Sequence, residues 1–284
     1  MVERAYSIEK SMKLNAKEAQ KYSLEGELND PKAFTCCDEA CHIPLTCTNF
    51  KNPKGKRFFY TPSCKEELHN IDCSEISQKE RKEQIENEKD KAKSTIEKDG
   101  TIRMVLSPNK TKSTLEAKKE NAEGELVSNN SGNVSSGKST KETRNMYSVA
   151  SFVGLYKDPS INNEDNCIRI GKELISLTEL FKSPRKRSFQ GPIRIYFGKG
   201  MIKTASFNKD IIEITFSECP NEKIYSNRKR LMRQNSEMIT KHCDKSEELT
   251  IYFRGNYGEK EEKKNKLSFL PFHENQIYKD LYFE

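Results

Sequence analysis

The chain has 284 residues, of which a third are hydrophobic and a third charged, and it contains no tryptophan. That balance excludes one core running through the whole length and leaves room for one large or two modest domains joined by solvated chain. The net charge of +7, from 50 basic and 43 acidic residues, is a mild excess that favours nucleic acid or an acidic protein surface as partner, the plainer alternative being a soluble protein of mixed surface charge.

The first predicted element is a short helix in LNAKEAQKYSLEGEL, capped by Asn15, with Ala16, Ala19, Tyr22 and Leu24 on its apolar side and Gly26 ending it. Next comes FTCCDEACHIPLTC, Phe34 to Cys47. Six of the nine cysteines fall between Cys36 and Cys73, and this cluster defines an N-terminal module over residues 1–76. Phe58, Phe59 and Tyr60, with Lys51, Lys54, Lys56 and Arg57 before them, suit a β-hairpin carrying a charged loop.

From 77 to 145 the chain reads as a charged helix, with opposite charges at helical spacings over 77–99, followed by a flexible linker. The apolar TIRMVLS, Thr101 to Ser107, interrupts it as a strand or docking segment, and residues 128–145 are rich in Gly, Ser and Asn.

Order resumes in a third region, 146–284. GKELISLTELF reads as an amphipathic helix through Leu174, Ile175, Leu177, Leu180 and Phe181. Strand patterns follow at Ile193 to Ala205, Asp210 to Glu218, Leu249 to Gly255 and Lys266 to Phe272. SNRKRLMRQNSEMITKHC reads as a helix, and HENQIYKDLYF as a closing short helix or strand. IRIYFGKG and LTIYFRGN share an amphipathic pattern. The fold class expected is α+β: a small zinc-stabilised N-terminal module, a charged tether, and an antiparallel sheet with helices that can curl into an open barrel.

Zinc prefers a tetrahedral set of thiolate and imidazole ligands supplied as two close-spaced pairs. Cys36-x4-Cys41 and His69-x3-Cys73 offer such pairs, making Cys36, Cys41, His69 and Cys73 the candidate ligands of a structural zinc. Cys37, Cys47 and the pair Cys64-x4-His69 compete with that set, and buried free thiols or a disulfide-stapled module are the non-metal readings. A four-ligand site has no open position, which argues against a zinc hydrolase.

Two basic triplets, Arg185-Lys186-Arg187 and Arg228-Lys229-Arg230, adjoin strands bearing Phe189, Tyr196 and Tyr252. Cations beside rings on a sheet face are one way to hold single-stranded nucleic acid, so these residues are candidates for nucleic-acid or partner binding; solvated loops and core aromatics are the plainer alternative. No catalytic residue is assigned. Cys41-His42 and His242-Cys243 are adjacent in sequence and diverge in direction, and Gly198-Lys199-Gly200 lacks the spacing of a phosphate loop.

The run from Glu18 to Phe50, with the HNIDC that ends at Cys73, resembles the N-terminal region of a loosely defined group of bacterial and phage proteins. The likeness rests on Glu18, Ala19, Tyr22, Gly26, Phe34, Cys36, Cys41, Leu45, Thr46, Cys47, His69 and Cys73, about the first quarter of the chain. That group is similar at its start to CoiA-type competence proteins, whose nuclease signature is not found here: Glu213 is followed by Ile214 and Thr215, not by Glu-x-Lys spacing. The resemblance implies a phage or mobile-element protein, not an enzyme, that binds and blocks a host nucleic-acid-processing defence complex, a Gabija-type nuclease complex being one such target. A direct DNA- or RNA-binding protein and a CoiA-like nuclease are the alternatives. No run approaches the ~20 apolar residues of a membrane span, so the expected place of action is the cytoplasm, that of the host if phage-encoded, with the chain working alone or as a homo-oligomer.

Overall fold

A computed structural model describes residues 2–38, 41–64, 68–107, 142–260 and 263–284. It is a mixed helix and sheet protein with three sheets. The first contains β1 (Arg4–Ser7), β2 (Met12–Asn15), β3 (Phe34–Cys36), β4 (Pro44–Cys47) and β5 (Tyr60–Pro62), antiparallel in the order β2-β1-β3-β4-β5. Alternation places Ala5 and Ser7 of β1 inward and Arg4 outward. Between β2 and β3, α1 (Ala16–Leu24) lays Ala16 and Ala19 over Leu14, Phe34, Leu45 and Tyr60. Asn15 and Glu18 form a reciprocal capping box, each side chain accepting the other's backbone N–H at 2.8 Å, a device that contributes about 1 kcal/mol. Gly26 (φ +80) follows the helix in the left-handed region, where a side chain is disfavoured.

The second sheet joins segments that lie far apart in the chain. After α2 (Gln78–Glu97) come β6 (Thr101–Met104), β7 (Thr143–Met146), α3 (Val149–Tyr156), β8 (Cys167–Ile170) and β9 (Glu173–Ser176), in the order β7-β6-β8-β9. β6 runs parallel to both β7 and β8, while β8 and β9 form an antiparallel hairpin.

Two expectations change here. The charged helix is not a free solvated rod. It has a capping box of Ser77 and Glu80, and one stripe is covered, with Ala92 and Thr95 inside and Ala92 in the same core as Ile102, Phe152 and Ile168. Glu88 accepts the backbone N–H groups of Tyr147 and Ser148, which lead into α3; Ser148 makes no side-chain cap bond of its own. Few apolar residues suffice because tertiary hydrogen bonds from its polar residues fix the helix. Of the stretch expected as linker, 108–141 lies outside the described residues, and its last residues run in β7.

The second change is in GKELISLTELF. Gly171 (φ +58) turns β8 into β9, so only the single turn α4 (Leu177–Leu180), capped by Ser176, is helical. Leu174 is exposed. The apolar spacing served a strand followed by a turn.

The third sheet continues from β10 (Phe181–Lys182) and a 3-10 turn at Pro184–Lys186. β11 (Arg194–Ala205), β12 (Asn208–Phe216), β13 (Lys223–Asn227), β14 (Leu249–Lys260), β15 (Lys263–Pro271) and β16 (Leu281–Phe283) complete it, in the order β13-β12-β11-β14-β15 with β10 on β11 and β16 on β14. Its edges β13 and β15 approach each other, so the sheet is nearly a closed barrel, as the strand spacing led one to expect. The similar segments IRIYFGKG and LTIYFRGN are neighbours, with Tyr196 opposite Phe253 and Phe197 opposite Tyr252. Gly200 belongs to this strand pairing: a Cβ there would lie 2.3 Å from the Thr215 carbonyl oxygen. α5 (Arg228–His242), capped by Asn227, seats Leu231 and Ile239 in the barrel core and is kinked at Asn235 (φ −135, ψ 43). Among the described residues no helix is long and apolar enough to cross a membrane.

Arg254 is fully buried beside fully buried Asp280. Its Nε donates to Asp280 at 2.9 Å, its Nη1 donates to the Tyr147 carbonyl, and its guanidinium lies 5.0 Å from the Phe272 ring centroid. Asp280 also accepts the His273 backbone N–H at 2.6 Å. Removing one member of such a pair strands the other charge without water. Asp280→Ala is expected to cost about 3–5 kcal/mol in urea unfolding, whereas Arg254→Met combined with Asp280→Leu should recover only part of that loss, because the Tyr147 carbonyl and the His273 N–H lose their partners as well.

Candidate metal centre

β3 ends at Cys36, and the turn after it brings Cys41 back, its N–H donating to the Asp38 carbonyl at 3.0 Å. A second turn, in which the Cys73 N–H donates to the Asn70 carbonyl at 2.9 Å, presents His69 and Cys73 to the first. The ligand atoms of Cys36, Cys41, His69 and Cys73 all lie within 4.8 Å of one another, so the group can hold a metal ion. Cys36, His69 and Cys73 are buried and Cys41 is half-buried.

The edge lengths fit a tetrahedron. Metal bonds of ~2.3 Å to sulfur and ~2.05 Å to nitrogen imply S···S edges of ~3.8 Å and S···N edges of ~3.6 Å. Cys36 Sγ lies 3.6 Å from Cys73 Sγ, and His69 Nδ1 lies 3.5 Å from Cys41 Sγ and 3.4 Å from Cys73 Sγ. A disulfide needs an S–S bond of ~2.05 Å, so the cysteines are free.

Backbone N–H groups point at all three sulfurs: Asp38 to Cys36 at 3.5 Å, Asn70 to Cys41 at 3.4 Å and Glu75 to Cys73 at 3.3 Å. Such donors favour thiolate over thiol. Hydrogen bonds from Cys36 and Cys73, joined by His69 and the Asn70 N–H, hold the Cys41 thiol far below its ordinary range. The ionised neighbour Cys41 pushes Cys36 far up, while Cys36 and Cys41 together push Cys73 up. Without a cation the three thiols cannot all ionise; a divalent ion removes that conflict.

A second layer of residues locks the two turns together. The Asp38 carboxylate accepts the Ser74 N–H at 2.8 Å, Arg81 donates to the Cys73 carbonyl at 3.0 Å, and Gln84 donates to the His69 carbonyl at 2.8 Å. Sequence reading missed these residues because Arg81 and Gln84 look like any other charged or polar position of a solvated helix. His69 Nε2 is buried with no acceptor among the described residues.

The competing ligands fall elsewhere. Cys47 is buried in the sheet core, its thiol pushed up to about 11 by burial. Cys64 is exposed, and Cys37 is half-buried to one side of the cluster.

The basic and aromatic candidates are divided between core and surface. Tyr196 and Tyr252 are 2% and 3% exposed. Tyr196 packs against Phe269 inside the barrel, and Tyr252 stacks on Phe197 on the sheet's other face. Neither ring is available for stacking with bases. Their alternation resembled a half-solvated sheet, but α3 and the core it shares with the second sheet cover the face that carries Tyr252 as well.

The first triplet is largely engaged within the chain. Arg187 pairs with Glu222 at 2.5 Å and lies over the Tyr257 ring, Arg185 is 3.6 Å from Glu218, and Lys186 is exposed. In the second triplet Arg228 donates to Thr204 Oγ1 at 3.1 Å, Arg230 lies over the Tyr278 ring, and Lys229 is exposed.

The fold and site thus define a mixed α and β protein with a four-residue Cys/His centre able to hold a metal ion. Set against known families, characterised proteins and solved structures, the chain matches none.

Elemental analysis of purified protein should find about one metal ion per chain, lost in Cys36→Ser and Cys73→Ser but kept in Cys47→Ser.

Proposed function

We propose that the metal is a structural zinc and that the protein is a non-enzymatic interaction protein, which binds and blocks a nucleic-acid-processing defence complex of a host cell. The observation that carries this reading is the closure of the site: three sulfurs and one imidazole nitrogen at tetrahedral edge lengths, with three of the four ligands buried. A soft, tetrahedral set of this kind selects zinc over the oxygen-seeking Mg and Ca. With every coordination position taken by protein, the zinc supplies folding energy to the loops 36–41 and 69–73 and leaves no place for a substrate.

Other features support a binding role. Glu213, the carboxylate nearest to a nuclease motif in sequence, is neutralised by Lys223 at 2.9 Å and accepts the Tyr225 hydroxyl at 3.2 Å, as a structural residue of the β12–β13 pair would be. The target is suggested by the resemblance of the first quarter to phage and mobile-element proteins. The cytoplasm, where reducing conditions keep thiols available to metal, suits such a centre.

Tagged full-length protein expressed in a bacterium carrying a nuclease-type defence complex should co-purify with that complex and suppress its cutting of DNA. The purified protein alone should not cut DNA or RNA with any divalent metal. Metal-dependent cleavage by the protein itself, lost in Glu213→Gln, would overturn the reading in favour of a nuclease.

A further inference from the structure

Between the N-terminal sheet and the first half of α5 lies a cleft of about 400 Å³, within the range of small-ligand sites. Six basic side chains line it: Arg4 and Lys13 from β1 and β2, Lys229, Arg230 and Arg233 from α5, and Lys279 from the closing turn. Asp38, Asp72 and Glu75 are the carboxylates of its wall. Glu75 pairs with Arg4 at 3.3 Å, Asp72 pairs with Lys279, and Asp38 accepts the Ser74 N–H. Among the described residues no carboxylate forms an ion pair with Lys13, Lys229, Arg230 or Arg233.

A second observation points the same way. α5 has three cations and no acidic residue in its first turn, where the helix dipole already presents positive charge and a cation is unfavourable. An anion seated against that turn relieves both the dipole and the mutual repulsion of the cations. Local conflict of this kind, without a compensating partner inside the chain, marks surfaces built for a ligand.

The lining also restricts the kind of anion. Tyr278 is the one large apolar surface among the lining residues, and the rest are charged, amide, hydroxyl or thiol groups. A protein segment binds through apolar or aromatic anchors set in dry pockets, which this cleft does not provide. A phosphate chain needs only cations along its track, with guanidinium forks matched to its oxygens.

We propose that this cleft binds the phosphodiester backbone of a single nucleic-acid strand. The site is distinct from the sheet face suggested by the sequence, since it draws on cations from three remote segments and uses neither Tyr196 nor Tyr252. It stands independently of the defence-complex reading, because it concerns a ligand of this chain alone.

The test is fluorescence anisotropy of a labelled 20-nucleotide single strand with the zinc-loaded full chain, over a series of salt concentrations. Arg230→Glu with Arg233→Glu should weaken binding tenfold or more and lower the salt slope by about 0.7 for each phosphate that is no longer neutralised. Lys13→Glu, on the opposite wall, should weaken it several-fold, and Lys186→Glu should change it less than twofold. Metal content and melting temperature matching the parent show that each variant is folded.

No binding at low salt, or equal losses for Lys186→Glu and the α5 pair, overturns the proposal. Loss in the α5 pair with Lys13→Glu unchanged would put the ligand on the helix and not in the cleft, and overturns it too. Competition by tripolyphosphate at the same concentration as the strand would assign the site to free phosphates. Competition by poly-glutamate at that concentration would assign it to acidic protein. Either result defeats the strand assignment.

Discussion

Asp72 stands in the short loop between two metal ligands, His69 and Cys73, yet its carboxylate serves the rest of the molecule. It accepts the Tyr147 hydroxyl at 3.1 Å and pairs with Lys279. The Tyr147 carbonyl in turn accepts from Arg254, and Arg254 pairs with Asp280, the residue after Lys279. The groups of this circuit are buried or nearly so, and buried charges persist only where fixed partners replace water. The conformation of the loop that carries two metal ligands and the seating of the barrel's last turn are therefore one arrangement. This polar joint ties the metal-bearing loop to the barrel, beside the apolar core in which Ala92 of α2 meets Ile195 and Tyr252.

This joint explains why parts of the molecule were legible in the sequence and others were not. Local signals survived folding: Asn15 caps α1, Asn227 caps α5, and the strands of the third sheet follow their period-two patterns. The four ligands were legible because metal chemistry constrains residue type and spacing at once. Pair spacing could not by itself dismiss Cys37, Cys47 or Cys64; which thiols converge depends on the turn after β3 and on the strand pairing that buries Cys47.

What failed to show was everything set by a second covering layer. Tyr196 and Tyr252 alternate as in a half-exposed sheet; the barrel interior takes Tyr196, and the packing of α3 on the other face makes Tyr252 core too. α2 reads as solvated because its tertiary interactions are polar: Arg81, Gln84 and Glu88 dock it through backbone carbonyls and amides of other segments. Hydrophobic periodicity is blind to that kind of docking. The parallel pairing of β6 with β8 was equally hidden, since nothing local in either strand names a partner more than sixty residues away.

The kink at Asn235 divides α5 into two parts with different obligations. Beyond it, Ile239 and His242 are enclosed by the barrel, whereas before it Leu231 is the single fully buried side chain and positions 229, 230 and 233 look outward to the cleft. Substitution at those outward positions alters what the surface offers without entering the core. One helix thus carries its anchoring and its outward charge on separate halves, so the charge at the cleft can be altered without unseating the helix from the barrel.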